Sequence, residues 1–141
     1  MLILPPEHRD AMIAHGRQGL PHEACGLFAG DGEKSTSTSL STSIVREVYC
    51  LTNIDKSAEH FSMSPEEQFT VIADIRKKGL ALLGNFHTHP GTPARPSEED
   101  IRLAFDPSLR YIIISFQDEE PVLKSFLIRK GQVAEEAVLS A

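Results

Sequence analysis

His87 and His89 stand one residue apart at the end of the run LALLGNFHTH, and a loop, PGTPARP, then leads to SEED at residues 97–100. If the apolar run is a strand, side chains at i and i+2 project from one face, close enough to share one ion. Two neutral imidazoles make half of a zinc site. Asp100, on the first turn of a following helix, would add a third ligand, and two His with one Asp leave a fourth position open, the arrangement of a catalytic rather than a structural zinc. The bland reading is a pair of solvated histidines followed by a helix that Ser97 and Asp100 close as a capping box. Both readings hold together if the start of that helix lies against the end of the histidine strand. A catalytic zinc also needs a base for its water. Glu23, at the mouth of a different strand in PHEACGLFAG, is the candidate, set against the ordinary reading of an isolated Glu as solvated surface.

The elements that must position these groups alternate along the chain. PPEHRDAMIAHGRQGLP reads as a helix between prolines, with Met12, Ile13 and Leu20 as its apolar face. HEACGLFAGDGE and SIVREVYCL read as strands, with a Ser/Thr-rich loop, KSTSTSLSTS, between them. EHFSM is expected to be a short strand. SPEEQFTVIADIRKKG is the clearest helix: Ser64 at the N-cap, Pro65 at the first position, Glu67 closing a capping box and Gly79 at the stop. The near-continuous apolar run before Pro90 fits a central strand covered on both faces. SEEDIRLAF is a short helix ending at Asp106-Pro107, and YIIISF, VLKSFLI and QVAEEAV supply three more strands. The expectation is one α/β domain over residues 1–141, without repeats or linkers.

Composition removes several function classes. Asp and Glu number 20 against 14 Lys and Arg, and no basic stripe is present, which argues against nucleic acid as a partner. No apolar stretch reaches the roughly 20 residues of a membrane span, and MLILPPEHRD lacks the features of a signal peptide, so a cytoplasmic location is expected. Two cysteines, Cys25 and Cys50, without C-x-x-C give neither a disulfide framework nor a zinc finger. His8, His15, His22 and His60 have no partner at ligand spacing, and Phe61 and Met63 read as core.

The stretch HTHPGTPARPSEED resembles the signature of the JAMM (MPN-plus) zinc metalloproteases: H-[ST]-H-P, six residues, Ser, two residues and Asp, with an upstream Glu before a small-residue strand. The resemblance extends through HEACGLFAG, the region from Asn53 to Gln68 and YIIISF, and is closest to short bacterial members that act on ubiquitin-like sulfur-carrier proteins. It implies a curved mixed sheet between helices, similar to cytidine deaminases. It also implies one zinc per chain on His87, His89 and Asp100, Glu23 as the general base, and Ser97 helping to hold the oxyanion. Thr88 takes a place where many members have Ser. Only Ile101 to Phe105 separate Asp100 from the Asp106-Pro107 stop, too few for the insertion that clamps ubiquitin in the better-known deubiquitinating members. The implied reaction is hydrolysis of the amide after a C-terminal Gly-Gly. Alternatives are a non-catalytic MPN scaffold, which the complete ligand set disfavours, and a zinc amidase for small molecules. A zinc deaminase lacks its H-x-E and P-C-x-x-C signature. A cysteine hydrolase would use Cys25, expected on the same face as Glu23 but better read as a buried inert thiol.

Overall fold

A computed structural model describes residues 1–32 and 42–141; most of the expected KSTSTSLSTS loop lies outside them. Eight strands form one mixed sheet. In chain order the elements are β1 (Leu2–Ile3), α1 (Pro6–Gly19), β2 (Cys25–Gly32), β3 (Ser43–Leu51), α2 (Pro65–Lys77), β4 (Ala81–His89), α3 (Glu98–Arg102), β5 (Arg110–Ser115), β6 (Val122–Arg129), β7 (Gln132–Glu136) and β8 (Val138–Leu139). The sheet order is β7-β6-β5-β4-β2-β3-β1-β8. Only Ala137 separates β7 from β8, yet they occupy opposite edges. The sheet must therefore curl until its edges nearly meet.

β4 lies near the middle, antiparallel to β2 and parallel to β5. The six residues of β5 are all buried, as a strand covered on both faces requires. Ile112 and Ile114 join Phe86, Phe28, Met12 and Ile13 in one core under α1, while Tyr111 and Ile113 join Phe126 and Ile128 in another near α3. A bulge at Leu83, where Phe28 pairs with Gly84 but Ala29 with Leu82, lets Leu83 enter the first core, with Asn85, His87 and His89 on the opposite face. Helix α1 reaches β4 closely because Gly16 has no side chain: a Cβ there would lie 2.8 Å from the Thr88 methyl and 2.7 Å from the Phe116 ring.

Several expectations need correction. Leu20 follows α1 and is 41% exposed, so the apolar face is Met12 and Ile13 alone. Ser64 accepts from the Glu67 amide, but the Glu67 carboxylate accepts from Thr52 N and Oγ1, so the capping box stays half-formed and α2 is tied to the end of β3. Helix α3 stops at Arg102, short of the expected Phe105. EHFSM is no strand: apart from one bridge between Asn53 and Met63 it pairs with nothing. Its carbonyls at His60, Ser62 and Met63 accept from Asn53 Nδ2, Ile54 N and Gln68 Nε2.

Candidate metal centre

Because His87 and His89 alternate with inward Phe86 and Thr88, their rings share one face of β4. Asp100 arrives from the first turn of α3. Its Oδ2 lies 3.2 Å from Nε2 of each histidine, and the two Nε2 atoms are 3.1 Å apart. The capping box does form here: Asp100 N donates to Ser97 Oγ at 3.0 Å, and Ser97 N to Asp100 Oδ2 at 2.9 Å. The cap thus aims the carboxylate at the imidazoles, so the bland and the functional readings of Ser97 and Asp100 describe one arrangement. The Ser97 side chain accepts this bond, and its own hydroxyl proton remains available to a ligand.

The donor set fits a divalent cation. His89 Nδ1 faces the Pro93 carbonyl at 2.8 Å, an acceptor, so Nδ1 carries the proton and Nε2 of the neutral ring a lone pair. That lone pair points among His87 Nε2 and a carboxylate oxygen. Such a convergence calls for a cation at its centre, and three atoms 3.1–3.2 Å apart match the edge of a zinc tetrahedron, about 3.3 Å for bonds of 2.0–2.1 Å. Burial opposes charge on Asp100, but His87 and His89, which donate to it from Nε2 when their rings are protonated, outweigh burial and hold the carboxyl well below the usual range. For His89 burial opposes the cation, and Asp100 and the Pro93 carbonyl overcome it, raising the imidazole above its ordinary value.

Two different forces orient the two rings. Pro93 fixes His89. His87 Nδ1 is buried without a hydrogen-bond partner, and its ring is instead stacked on Phe61, with centroids 4.7 Å apart and planes 26° from parallel. Phe61 and Met63 therefore face the site and are not core, a correction to the sequence reading. Sequence patterns missed this because Asn53 sets the segment: its Nδ2 holds the Glu23 and His60 carbonyls, and its Oδ1 accepts from Asp55 and Ser62 amides.

Glu23 precedes β2 and lies outside the ligand group formed by His87, His89 and Asp100. Its backbone is pinned by Asn53 and by Glu23 N donating to Ser57 O, while Ala24 N donates to Thr88 Oγ1 and Thr88 N to Ala24 O. Thr88 thus clamps the Glu23 segment to the residue between the histidines. The side chain is buried, not solvated, and Oε1 has no partner. Burial pushes its pKa up to about 8, against the lowering influence of His89. Cys25 begins β2 and is fully buried; burial pushes its thiol up to about 12, so it is no nucleophile at neutral pH. His15 is structural, its Nε2 on the Cys25 and Leu51 carbonyls, and His60 pairs with Asp55 at 3.2 Å.

Beside this centre lies a groove of about 470 Å³, lined by Leu82, Asn85 and His87 of β4, by Leu27, Tyr111, Ile113 and Ile128 of the other strands, and by Phe61, Met63, Leu103 and Phe105.

Residues 5–129 match the family of prokaryotic homologs of the JAB domain. A CysO-cysteine peptidase of Mycobacterium tuberculosis is 29% identical over 140 residues, covering 98% of this chain and 90% of the relative. A desampylase of Haloferax volcanii is 29% identical over 119 residues, covering 81% and 80%. The solution structure of DSY2949 from Desulfitobacterium hafniense is similar at 51% identity and TM-score 0.88, covering 100% of this chain and 93% of that one.

Proposed function

The chain belongs to the prokaryotic JAB family of JAMM-type hydrolases, and from that premise we propose that it is a zinc peptidase that cuts the amide after the C-terminal Gly-Gly of a ubiquitin-like sulfur-carrier protein. The observation that carries this reading is the groove: a trough of about 470 Å³, lined by His87 and Asp100 of the ligand group and reaching to Leu82 and Phe105, has room for an extended tail. A small acyl amino acid would occupy only a fraction of it. Relatives named as CysO-cysteine peptidase and desampylase support the same substrate class.

His87, His89 and Asp100 would hold the zinc, which when bound polarises the scissile carbonyl and acidifies water. The chain's own groups do the rest. Glu23, buried and with Oε1 uncommitted, takes a proton from the attacking water and returns it to the leaving amine; its elevated pKa suits a group that must both accept and donate near neutrality. The Ser97 hydroxyl, with its oxygen fixed by Asp100 N, donates to the developing oxyanion. Phe61 stacked on His87 excludes water from that side. Glycines in the tail allow close passage between the walls.

Incubating the zinc-loaded protein with ubiquitin-like proteins that carry an extension after Gly-Gly, and weighing the products, tests the reading. We expect cleavage immediately after the second glycine, one zinc per chain, and loss of both zinc and cleavage in a His89→Ala, Asp100→Ala double variant. Rapid hydrolysis of small acyl amino acids with every Gly-Gly tail intact would replace the peptidase with a small-molecule amidase.

A further inference from the structure

Asn85 lies on β4 two residues before His87, on the same face, and lines the groove floor. Its Oδ1 is buried and has no hydrogen-bond partner. Its surroundings are apolar: Leu27 is its partner on β2 and Tyr111 on β5, and Leu82 and Ile72 line the same trough. An amide oxygen left without a partner in such a place works against folding, whereas Leu would fill the position without that penalty. Stability gives no reason for the amide.

We infer that Asn85 is a specificity-determining residue whose side-chain amide grips a main-chain peptide group of the bound chain, two residues from the bond that is cut. The inference rests on the proposed peptidase reading. A peptide group carries one donor and one acceptor, and the Asn85 amide presents the complementary pair once it turns about its terminal torsion to bring Oδ1, buried in the free protein, to the groove. An extended chain lying along β4 advances by the same rise of about 3.3 Å per residue as the strand beneath it. With its reacting carbonyl beside His87, the peptide group two residues away falls over Asn85. The contact reads backbone and ignores side chains, so it selects an extended chain with a free N–H at that point and refuses proline, an N-methylated residue or an ester there. It also gives a preference for long tails over single acyl amino acids, because only a chain reaches both His87 and Asn85.

The test uses the zinc-loaded full chain, Asn85→Leu, and tailed ubiquitin-like substrates in which each tail amide in turn is replaced by an ester. Asn85→Leu is expected to raise KM for the all-amide tail by about threefold to tenfold, the worth of one hydrogen bond, with a smaller change in kcat and a higher unfolding temperature. One ester, two residues from the cut bond, should weaken the wild type by a similar factor and leave the variant indifferent, so that the two changes do not multiply. If the effects multiply independently, or if Asn85→Leu lowers the unfolding temperature while KM is unchanged, the amide is structural, for instance bonded to a resident water, and the inference is overturned. If the wild type cleaves no tailed protein at all, the peptidase reading itself falls and takes this role with it.

Discussion

Two buried polar clusters sit in this sheet, and they are built on opposite principles. At the seam between the sheet edges, Glu136 of β7 receives Arg110 of β5 at 2.9 Å, Ser125 of β6 at 2.8 Å and the Met1 amine at 3.4 Å. Both carboxylate oxygens are engaged. At the other cluster Glu23 Oε1, His87 Nδ1 and Asn85 Oδ1 are buried without partners, and they are the three such atoms among the described residues. Burial of an unsatisfied group opposes folding, so a fully bonded cluster reports structure and a cluster of orphans reports a site kept open for something else. Charge alone would not separate the two, since both hold a buried carboxylate.

The sharpest way to break this comparison is Glu23→Gln. Turnover should fall roughly a hundredfold to ten-thousandfold, because an amide of the same shape cannot take the proton, while zinc content stays at that of the wild type. Stability should move in the opposite sense from a structural loss. With its folded pKa raised to about 8, Glu23 favours the folded state most below about pH 4.5 and loses that contribution as pH rises through 8. Asp100, with its pKa held down, loses its contribution only in stronger acid, and His89, with its pKa raised, as pH climbs above the ordinary imidazole range. Both remain in the variant, and since the Glu23 carboxylate is the smallest of the influences on His89, their contributions largely cancel. Urea unfolding of the chelator-treated proteins should therefore show the wild type losing stability relative to Glu23→Gln between pH 5 and 9; parallel curves would mean that Glu23 is solvated.

Glu136→Ala is the mirror experiment. Removing the carboxylate that faces a buried guanidinium should lower stability by roughly 3–5 kcal/mol, read by denaturant midpoint, and leave kcat per folded molecule close to the wild type. A large drop in kcat at full folding would dissolve the division between the two clusters.

Ser97→Ala belongs between them, touching turnover no more than Glu23→Gln does and stability less than Glu136→Ala does. It should slow turnover on the order of a hundredfold through the oxyanion and lower stability by about 1 kcal/mol through the lost cap. A stability change alone, with unchanged kcat, would confine Ser97 to capping Asp100.

What the sequence made legible follows local period and punctuation. The face shared by His87 and His89 comes from two-residue alternation; α2 is announced by Ser64, Pro65 and a glycine at positive φ, Gly79. What it hid depends on distant partners. Glu67 leaves its expected cap because Thr52 offers two donors. Phe61 and Met63 turn to the groove because Asn53 gathers that segment by side-chain bonds that no period encodes. Strands β1 and β8, two residues each, are too short to leave a pattern and exist because the curled sheet brings Leu2 beside Val138. That Asn85 lacks a partner is a property of the assembled groove, invisible in NFHTH.

The loop that joins the histidine strand to α3 contains Pro90, Pro93 and Pro96, and it is tied down where Ser115 Oγ donates to Thr92 O at 2.6 Å. Three fixed φ angles in so short a span leave the chain few ways to wander even before it folds. Asp100 is thus carried on something closer to a bracket than a tether, and little configurational freedom remains to be lost when a ligand is clasped between bracket and sheet. A glycine-rich replacement of the same length would keep all three ligating side chains and still hold an ion less tightly.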